Sequence, residues 1–427
     1  MKLAFDPYQF NTKLSNGVQV HWKNVPWANG FVYVNIIMSV GAMHDPIGKQ
    51  GLAHFIEHMP FNGCTGHSSF EKIEKVDHEI FRNTLNACTD FEKTIYSGKL
   101  TVDKLPLAME FMRNFIFFPS IDPTEVERER KVIIQEIWRK YINVKREDFE
   151  KRTQKMLYGT HPFGKMDRAF GWHDSVTKIN HDDLLLFHRS NYLSENMRVV
   201  IVGDISAAKL KSVDVLTGSI PTKQSLIKPA PKIGEWINPR KAPYTISAGK
   251  YFGLKGASIQ KSAEVTFHRI SPIQPNNELP YIAREMLRQI LFEEIRGKLG
   301  ATYTPKVSGN RFIDHSSSRI SLLVDPDAVT AVKQIIEKTV TQIGEKDRRQ
   351  EKRFNEAKTV CLEDKITADR SVESIADAAT REVSVTSEII SVAEDYALAK
   401  QITYSDVARF FSEELTYEKL FCITIAP

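Results

Sequence analysis

Two apolar runs, Met197-Arg198-Val199-Val200-Ile201-Val202 and Leu420-Phe421-Cys422-Ile423-Thr424-Ile425, close two stretches of chain that read in the same order of elements. In the first stretch, β-branched alternation predicts strands over Val18 to Trp22 and Phe31 to Ser39, which we read as an antiparallel pair. A loop with Gly41, Pro46 and Gly48 and then a helix follow, with a further strand over Leu85 to Tyr96 and helices from Asp103 and Pro123. In the second, strands near Tyr251 to Leu254 and Ala263 to Arg269 precede a helix from Leu279 to Leu299. Strands at Ala301 to Val307 and Arg319 to Val324 and further helices come next. Between Leu216 and Tyr244 the periodicity lapses and Pro221, Pro229, Pro231, Pro239 and Pro243 collect, the mark of a linker. A chain of 427 residues exceeds one ordinary core but suits two units of about 200 residues each. The economical fold is a duplicated α+β unit, each copy an antiparallel sheet packed with helices. Its expected bounds are an N-terminal domain 1–218, a linker 219–244 and a C-terminal domain 245–427.

The first helix carries His54-Phe55-Ile56-Glu57-His58. Residues i and i+4 lie on one helical face, so both imidazoles can reach a single metal ion with Glu57 beside it. The bland alternative is a polar face whose histidines satisfy local hydrogen bonds. Pro60 removes a donor and disfavours helix at Met59, so the helix should kink or end there. Further on, Asp122-Pro123-Thr124-Glu125 reads as a capped helix start, and Glu129 and Glu136 project from one face of the helix it opens. One can be a ligand and the other its neighbour, or both can be solvated. The second copy places Leu291-Phe292-Glu293-Glu294-Ile295 at the equivalent helix, without histidines, so only the first half should bind metal.

With these residues in place the chain resembles the M16 (pitrilysin-like) metallopeptidases, of the short bacterial or mitochondrial-processing-peptidase-like type, across nearly its whole length. The order of histidines and glutamate is the inverzincin one. Local similarities are Asn86-Ala87-Cys88-Thr89 with Thr94 and Tyr96, His161-Pro162-Phe163-Gly164, and Asn196-Met197. The resemblance implies a duplicated LuxS/MPP-like fold, one Zn2+ per chain on His54, His58 and Glu136, and Glu57 as base. It also implies that Glu129 tunes the site and that peptide binds as an extended strand against Asn86 and Ala87. Arg296 and Tyr303, in Arg296-Gly297-Lys298-Leu299-Gly300-Ala301-Thr302-Tyr303, would grip substrate carbonyls and the oxyanion; without the resemblance a surface role would be the default for this pair. Two departures stand out: Pro60, and the glycine-poor segment Val76 to Leu85 before the edge strand. The implied activity is zinc endopeptidase on peptides or unfolded segments. The alternative is a non-catalytic or partner subunit, and the half-length format implies a homodimer or heterodimer enclosing a chamber. A lyase with the same histidine motif would be shorter and would use a cysteine as third ligand.

Composition limits other classes. With 58 basic and 53 acidic residues scattered along the chain, no nucleic-acid surface is expected. The first residues lack a signal peptide's apolar core and no run approaches a membrane span, so a cytoplasmic setting without membrane association is expected. Cys64, Cys88, Cys361 and Cys422 show no Cys-x-x-Cys spacing and read as free thiols, with Cys64 the weaker choice of ligand.

Overall fold

The near-continuous apolar strands Phe31–Met38 (β3) and Met197–Gly203 (β6) need cover on both faces, and that need organises the first sheet. The structure, a computed structural model, describes residues 9–141, 144–165, 169–205, 220–221, 244–247, 261–300, 304–368, 371–390 and 392–427. Among these, Gln9–Lys13 (β1), Gln19–Asn24 (β2), Asn86–Thr89 (β4) and Thr94–Thr101 (β5) join β3 and β6 in the order β1-β2-β6-β3-β5-β4. Strand β6 lies between β2 and β3, so these two are not the antiparallel pair expected from the sequence. Instead β2 runs parallel to β6, and β3 is antiparallel to both β6 and β5. The reason is burial: β6 is apolar on both faces and takes a central place, which separates the strands adjacent in sequence.

Val32, Val34, Ile36 and Met38 of β3, with Val199 and Ile201 of β6, face a core built with Leu52–His58 (α1), Leu105–Phe117 (α3), Pro123–Tyr141 (α4) and His181–Asn191 (α7). Two further helices, Phe70–Val76 (α2) and His173–Val176 (α6), complete this side. Ile37, Val200 and Val202 on the opposite face pack on Ile375, Ala376, Ala379 and Val383 of a helix near the other end of the chain.

The second sheet repeats the plan. Tyr244–Ser247 (β7), Ala263–Ser271 (β8), Lys306–Arg311 (β9), Ser316–Val324 (β10) and Phe421–Ala426 (β11) run β7-β11-β8-β10-β9, matching β2-β6-β3-β5-β4 place for place. Each sheet is antiparallel apart from one parallel pair, β2 with β6 and β7 with β11. Helices Glu278–Leu291 (α8), Val329–Gly344 (α9) and Glu351–Ala368 (α10) are joined by Val372–Thr386 (α11), Val392–Gln401 (α12) and Tyr404–Glu413 (α13).

The halves exchange one helix each. The chain divides into a first unit of β1–β6 with α1–α4, α6, α7 and α11, and a second of β7–β11 with Val144–Tyr158 (α5), α8–α10, α12 and α13. Phe149 of α5 packs on Ile246, Phe421, Ile423 and Ile425, doing for the second sheet what α11 does for the first. A cut at 219–244 therefore does not separate the units along the sequence. That linker reading falls, apart from Ile220, Pro221 and Tyr244, outside the described residues, as does the strand expected at Tyr251 to Leu254. No helix among the described residues is long and apolar enough to cross a membrane.

The stretch read as one strand from Leu85 to Tyr96 is a hairpin. Asp90 Oδ1 accepts from the backbone N–H groups of Glu92 and Lys93, which turns the chain between β4 and β5. The glycine-poor segment before β4 meets its geometry with side chains that seldom adopt it. After α2 the helix widens over Asp77–Phe81, and Arg82 and Asn83 follow at φ 58° and 61°. These are left-handed values that glycine would take without steric cost.

Candidate metal centre

Helix α1 is capped by Gly51 and ends at His58, where Pro60 opens a 3-10 turn over Met59–Asn62, as the sequence led us to expect. Its start is fixed from outside. The buried carboxylate of Asp45 accepts from Gly51 N–H at 2.7 Å and Ala53 N–H at 2.8 Å, meeting two of the donors that a helix leaves open. One turn on, His54 and His58 stand edge to face with ring centroids 4.6 Å apart.

Their Nε2 atoms are 3.2 Å apart. Glu136 brings Oε2 to 3.6 Å from His54 Nε2 and 4.0 Å from His58 Nε2. A tetrahedral zinc ion with bonds of 2.0–2.1 Å separates its ligand atoms by about 3.3 Å, so the three atoms fit one ion with small adjustments. Burial, reinforced by the neighbouring His58, holds the His54 imidazole well below its ordinary pKa, which favours the neutral, ligating form. Burial also pulls His58 down, but the carboxylates of Glu129, Glu57 and Glu136 outweigh it and raise this histidine overall.

Glu129, one face-repeat before Glu136 on α4, accepts from His58 Nδ1 at 3.1 Å. This is the outer-shell contact that fixes the tautomer and orientation of a ligating imidazole. Burial pushes the Glu129 carboxyl up, yet the hydrogen bond and charge of His58 hold it below its usual range. Helix spacing left open which glutamate approaches the histidines, and the resemblance named Glu136; here Glu136 reaches their Nε2 side and Glu129 the far nitrogen of His58. Asn62, just past Pro60, is held by Arg128 through its side-chain oxygen, which ties the turn to α4.

Glu57 lies on the same helix between the two histidines, buried and hydrogen-bonded by the Thr89 hydroxyl to its Oε2 at 2.5 Å. Burial raises its pKa, the Thr89 bond pulls it back, and the Glu136 charge pushes it up again. Thr89 ends β4, which pairs only with β5 among the described residues and so forms one end of the sheet order. Asn86 is exposed and Ala87 half-buried on the same strand. Arg296 lies in the second unit, with its guanidinium over the Phe292 ring; Tyr303 lies outside the described residues.

Sequence reasoning missed three supporting groups. Asp45 sits nine residues before His54 in a loop with no pattern to mark it. Thr89 stood within a quoted motif, but its bond to Glu57 depends on β4 lying against α1. Phe170, whose ring meets His54 at 5.1 Å, comes from a turn far along the chain.

Asp45 makes stability depend on pH. Full burial pushes its carboxyl up to about 7, against backbone hydrogen bonds that favour the charged form. Between pH 4 and 7 the folded chain therefore holds a proton that the unfolded chain has released. Stability falls as pH rises through this window, by at most about 1.4 kcal/mol per unit from this group. Asp45→Asn should flatten that part of the slope. Urea unfolding at several pH values measures it, since histidine titrations common to both proteins cancel in the difference; parallel slopes would exclude Asp45 as the source.

Comparison with known proteins places this chain in a family. Residues 27–161 match the family model described as Insulinase (Peptidase family M16), and residues 178–361 match that of the Peptidase M16 inactive domain. An uncharacterized zinc protease of Rickettsia bellii is 24% identical over 95% of this chain and 95% of its own length. The probable zinc protease PqqL of Haemophilus influenzae is 31% identical over 49% of this chain. The match spans 23% of that relative, well under two thirds of its length. The crystal structure of a protease from Helicobacter pylori superposes with a TM-score of 0.83 at 18% identity, covering 99% of this chain and 100% of that one. Both halves of the chain thus match M16 models, and the chain belongs to the M16 (insulinase) peptidase family.

Proposed function

We propose that the chain is a zinc-dependent endopeptidase that cleaves peptides or unfolded polypeptide segments bound as an extended strand. The observation that carries this reading is the convergence of His54 Nε2, His58 Nε2 and Glu136 Oε2 beside a carboxylate, Glu57, that is held but takes no part in the cluster. Two imidazoles and one carboxylate would hold the ion and leave a position open. A zinc ion there would lower the pKa of water and polarise a carbonyl.

The remaining chemistry belongs to the chain. Glu57 accepts a proton from the attacking water and passes it to the leaving amine, a task for which a raised pKa suits a carboxylate. The Thr89 hydroxyl donates to Oε2 and holds the carboxylate in place. Glu129 keeps the His58 ring in place. A substrate strand adding beside Asn86 and Ala87 would gain backbone hydrogen bonds with little demand on sequence. Arg296 and Tyr303 keep, from the family resemblance, the task of gripping substrate carbonyls and the oxyanion.

A partner belongs to this reading as well, in a homodimer or a heterodimer with a related chain. A non-catalytic subunit is the second reading, favoured by the match of residues 178–361 to a domain described as inactive. Against it, His54, His58 and Glu136 of the first unit bring ligand atoms within 4.8 Å of one another, close enough to hold one ion. The four cysteines stand as free thiols, which supports a reducing, cytoplasmic setting.

Removal of metal separates the readings. After treatment with a chelator, cleavage of an unstructured fluorogenic peptide should stop, and zinc alone should restore it. Cleavage that continued in metal-free protein, or protein inert with zinc bound, would reject the endopeptidase reading.

A further inference from the structure

We propose that His161, Asp314 and His315, within the second unit, form a second divalent-cation site that fastens the exchanged helix α5 to the turn between β9 and β10. Each of the three offers one ligand atom, and these atoms lie within 4.8 Å of one another. Both imidazole side chains are fully buried, and the Asp314 side chain is 13% exposed, so one side of the group is open to water.

The placement follows from two local structures. Helix α5 ends at Tyr158, Gly159 takes a left-handed φ of 57°, and His161 N–H returns to Tyr158 C=O at 3.0 Å. This sets the His161 ring directly beyond the helix. Opposite it, Arg311 pairs with Ser316 across the hairpin, and Phe312 N–H closes the turn on His315 C=O at 2.8 Å. Asp314 and His315 therefore sit on a short, closed turn rather than a free loop.

The arrangement resembles the first cluster in its parts. His161 and His315 stand edge to face at 81° with centroids 5.4 Å apart, against 80° and 4.6 Å for His54 and His58. Asp314 Oδ2 is 3.0 Å from His161 Nε2, near the separation of about 3.3 Å that tetrahedral zinc imposes. Asp314 Oδ1 is 2.6 Å from His315 Nδ1, a hydrogen-bond distance that ligation would lengthen. Tyr158 and Phe312 add aromatic walls, their rings at 5.6 Å and 4.6 Å from that of His315.

Charge favours a cation. The Asp314 carboxylate faces ring nitrogens of both histidines, His161 Nε2 through Oδ2 and His315 Nδ1 through Oδ1. Among the described residues no lysine or arginine pairs with Asp314. A carboxylate among imidazoles and aromatic rings is a costly charge to bury, and a divalent ion of zinc type, suited to imidazole and carboxylate, would offset it. The competing explanation is a metal-free clamp, with Asp314 accepting from both rings.

Zinc counting on the full chain decides between them. Protein stripped by chelator, loaded with zinc and freed of excess by gel filtration should retain about two ions per chain. The His54→Asn/His58→Asn double variant should retain about one, and adding Asp314→Asn to it should remove that one. Zinc should also raise the melting temperature of the double variant, and Asp314→Asn should abolish the rise. His315→Gln, with circular dichroism on each protein, guards against loss through misfolding. A double variant that held no zinc, or a thermal shift that survived both Asp314→Asn and His315→Gln, would overturn the site in favour of the clamp. Because the double variant lacks the first cluster, its zinc content is independent of whether the chain is a peptidase.

Discussion

Glu57→Gln should lower peptide hydrolysis by about 10²- to 10⁴-fold while the protein keeps its first-cluster zinc. The substitution preserves shape, and the amide oxygen can still accept from Thr89, so β4 and α1 should hold their relation. What is lost is the capacity to take up a proton. The buried carboxylate, raised by desolvation and by the Glu136 charge, is suited to accept a proton from water and release it to an amine. Glutamine can do neither. Metal content should not follow activity, because the converging atoms belong to His54, His58 and Glu136. The measurement pairs the hydrolysis rate with elemental analysis of the same sample. Near-normal cleavage with zinc bound would remove Glu57 from the mechanism, whereas loss of zinc with activity would make it a ligand or a structural support.

The motif was legible because its spacing and its chemistry coincide. A helical turn takes about 3.6 residues, so His54 and His58, four apart, fall on one face by spacing alone. Glu129 and Glu136 share a face for the same reason, but spacing alone could not say which would approach the ligand nitrogens. That depends on how α4 lies across α1, and only packing fixes it. The duplicated order of elements was equally legible, since the closing strands β6 and β11 are apolar on both faces.

The exchange of α5 and α11 was hidden. An apolar helix face declares that it will be buried, not which of two similar sheets will bury it. Phe149 would suit either sheet by composition, and the structure places it on Ile423 and Ile425. The β4–β5 hairpin was missed for a related reason: Phe91 continued the apolar alternation through a turn that Asp90 makes with its side chain. Asp45 and Phe170 support the cluster from loops, where no periodicity reports a contact.

Gly171→Ala should be among the most destabilising single substitutions in the first unit. Gly171 has φ +74°, and a Cβ built there would lie 2.1 Å from Gln50 C=O oxygen and 2.6 Å from Gly51 Cα. Gly51 faces it in kind, at φ +98° and with its own Cβ position 2.6 Å from Phe170 C=O oxygen. Two backbones touch here, so no side chain can swing aside to make room. The left-handed conformation costs an alanine about 1 kcal/mol, and forced separation of packed backbone adds about 1–3 kcal/mol or more. For a unit near 200 residues this corresponds to a fall of roughly 5–15 °C in melting temperature. Gly66→Ala supplies the control: its φ is +87°, yet nothing lies within 4 Å of the added carbon. It should show the conformational cost alone. The displacement in Gly171→Ala would fall on Gly51, where α1 begins, and on Phe170, which meets the His54 ring. Zinc affinity should therefore drop along with stability in Gly171→Ala and stay normal in Gly66→Ala. Equal melting temperatures for the two variants would mean that the backbone contact yields without strain, and that the start of the metal helix is held by Asp45 rather than by this approach.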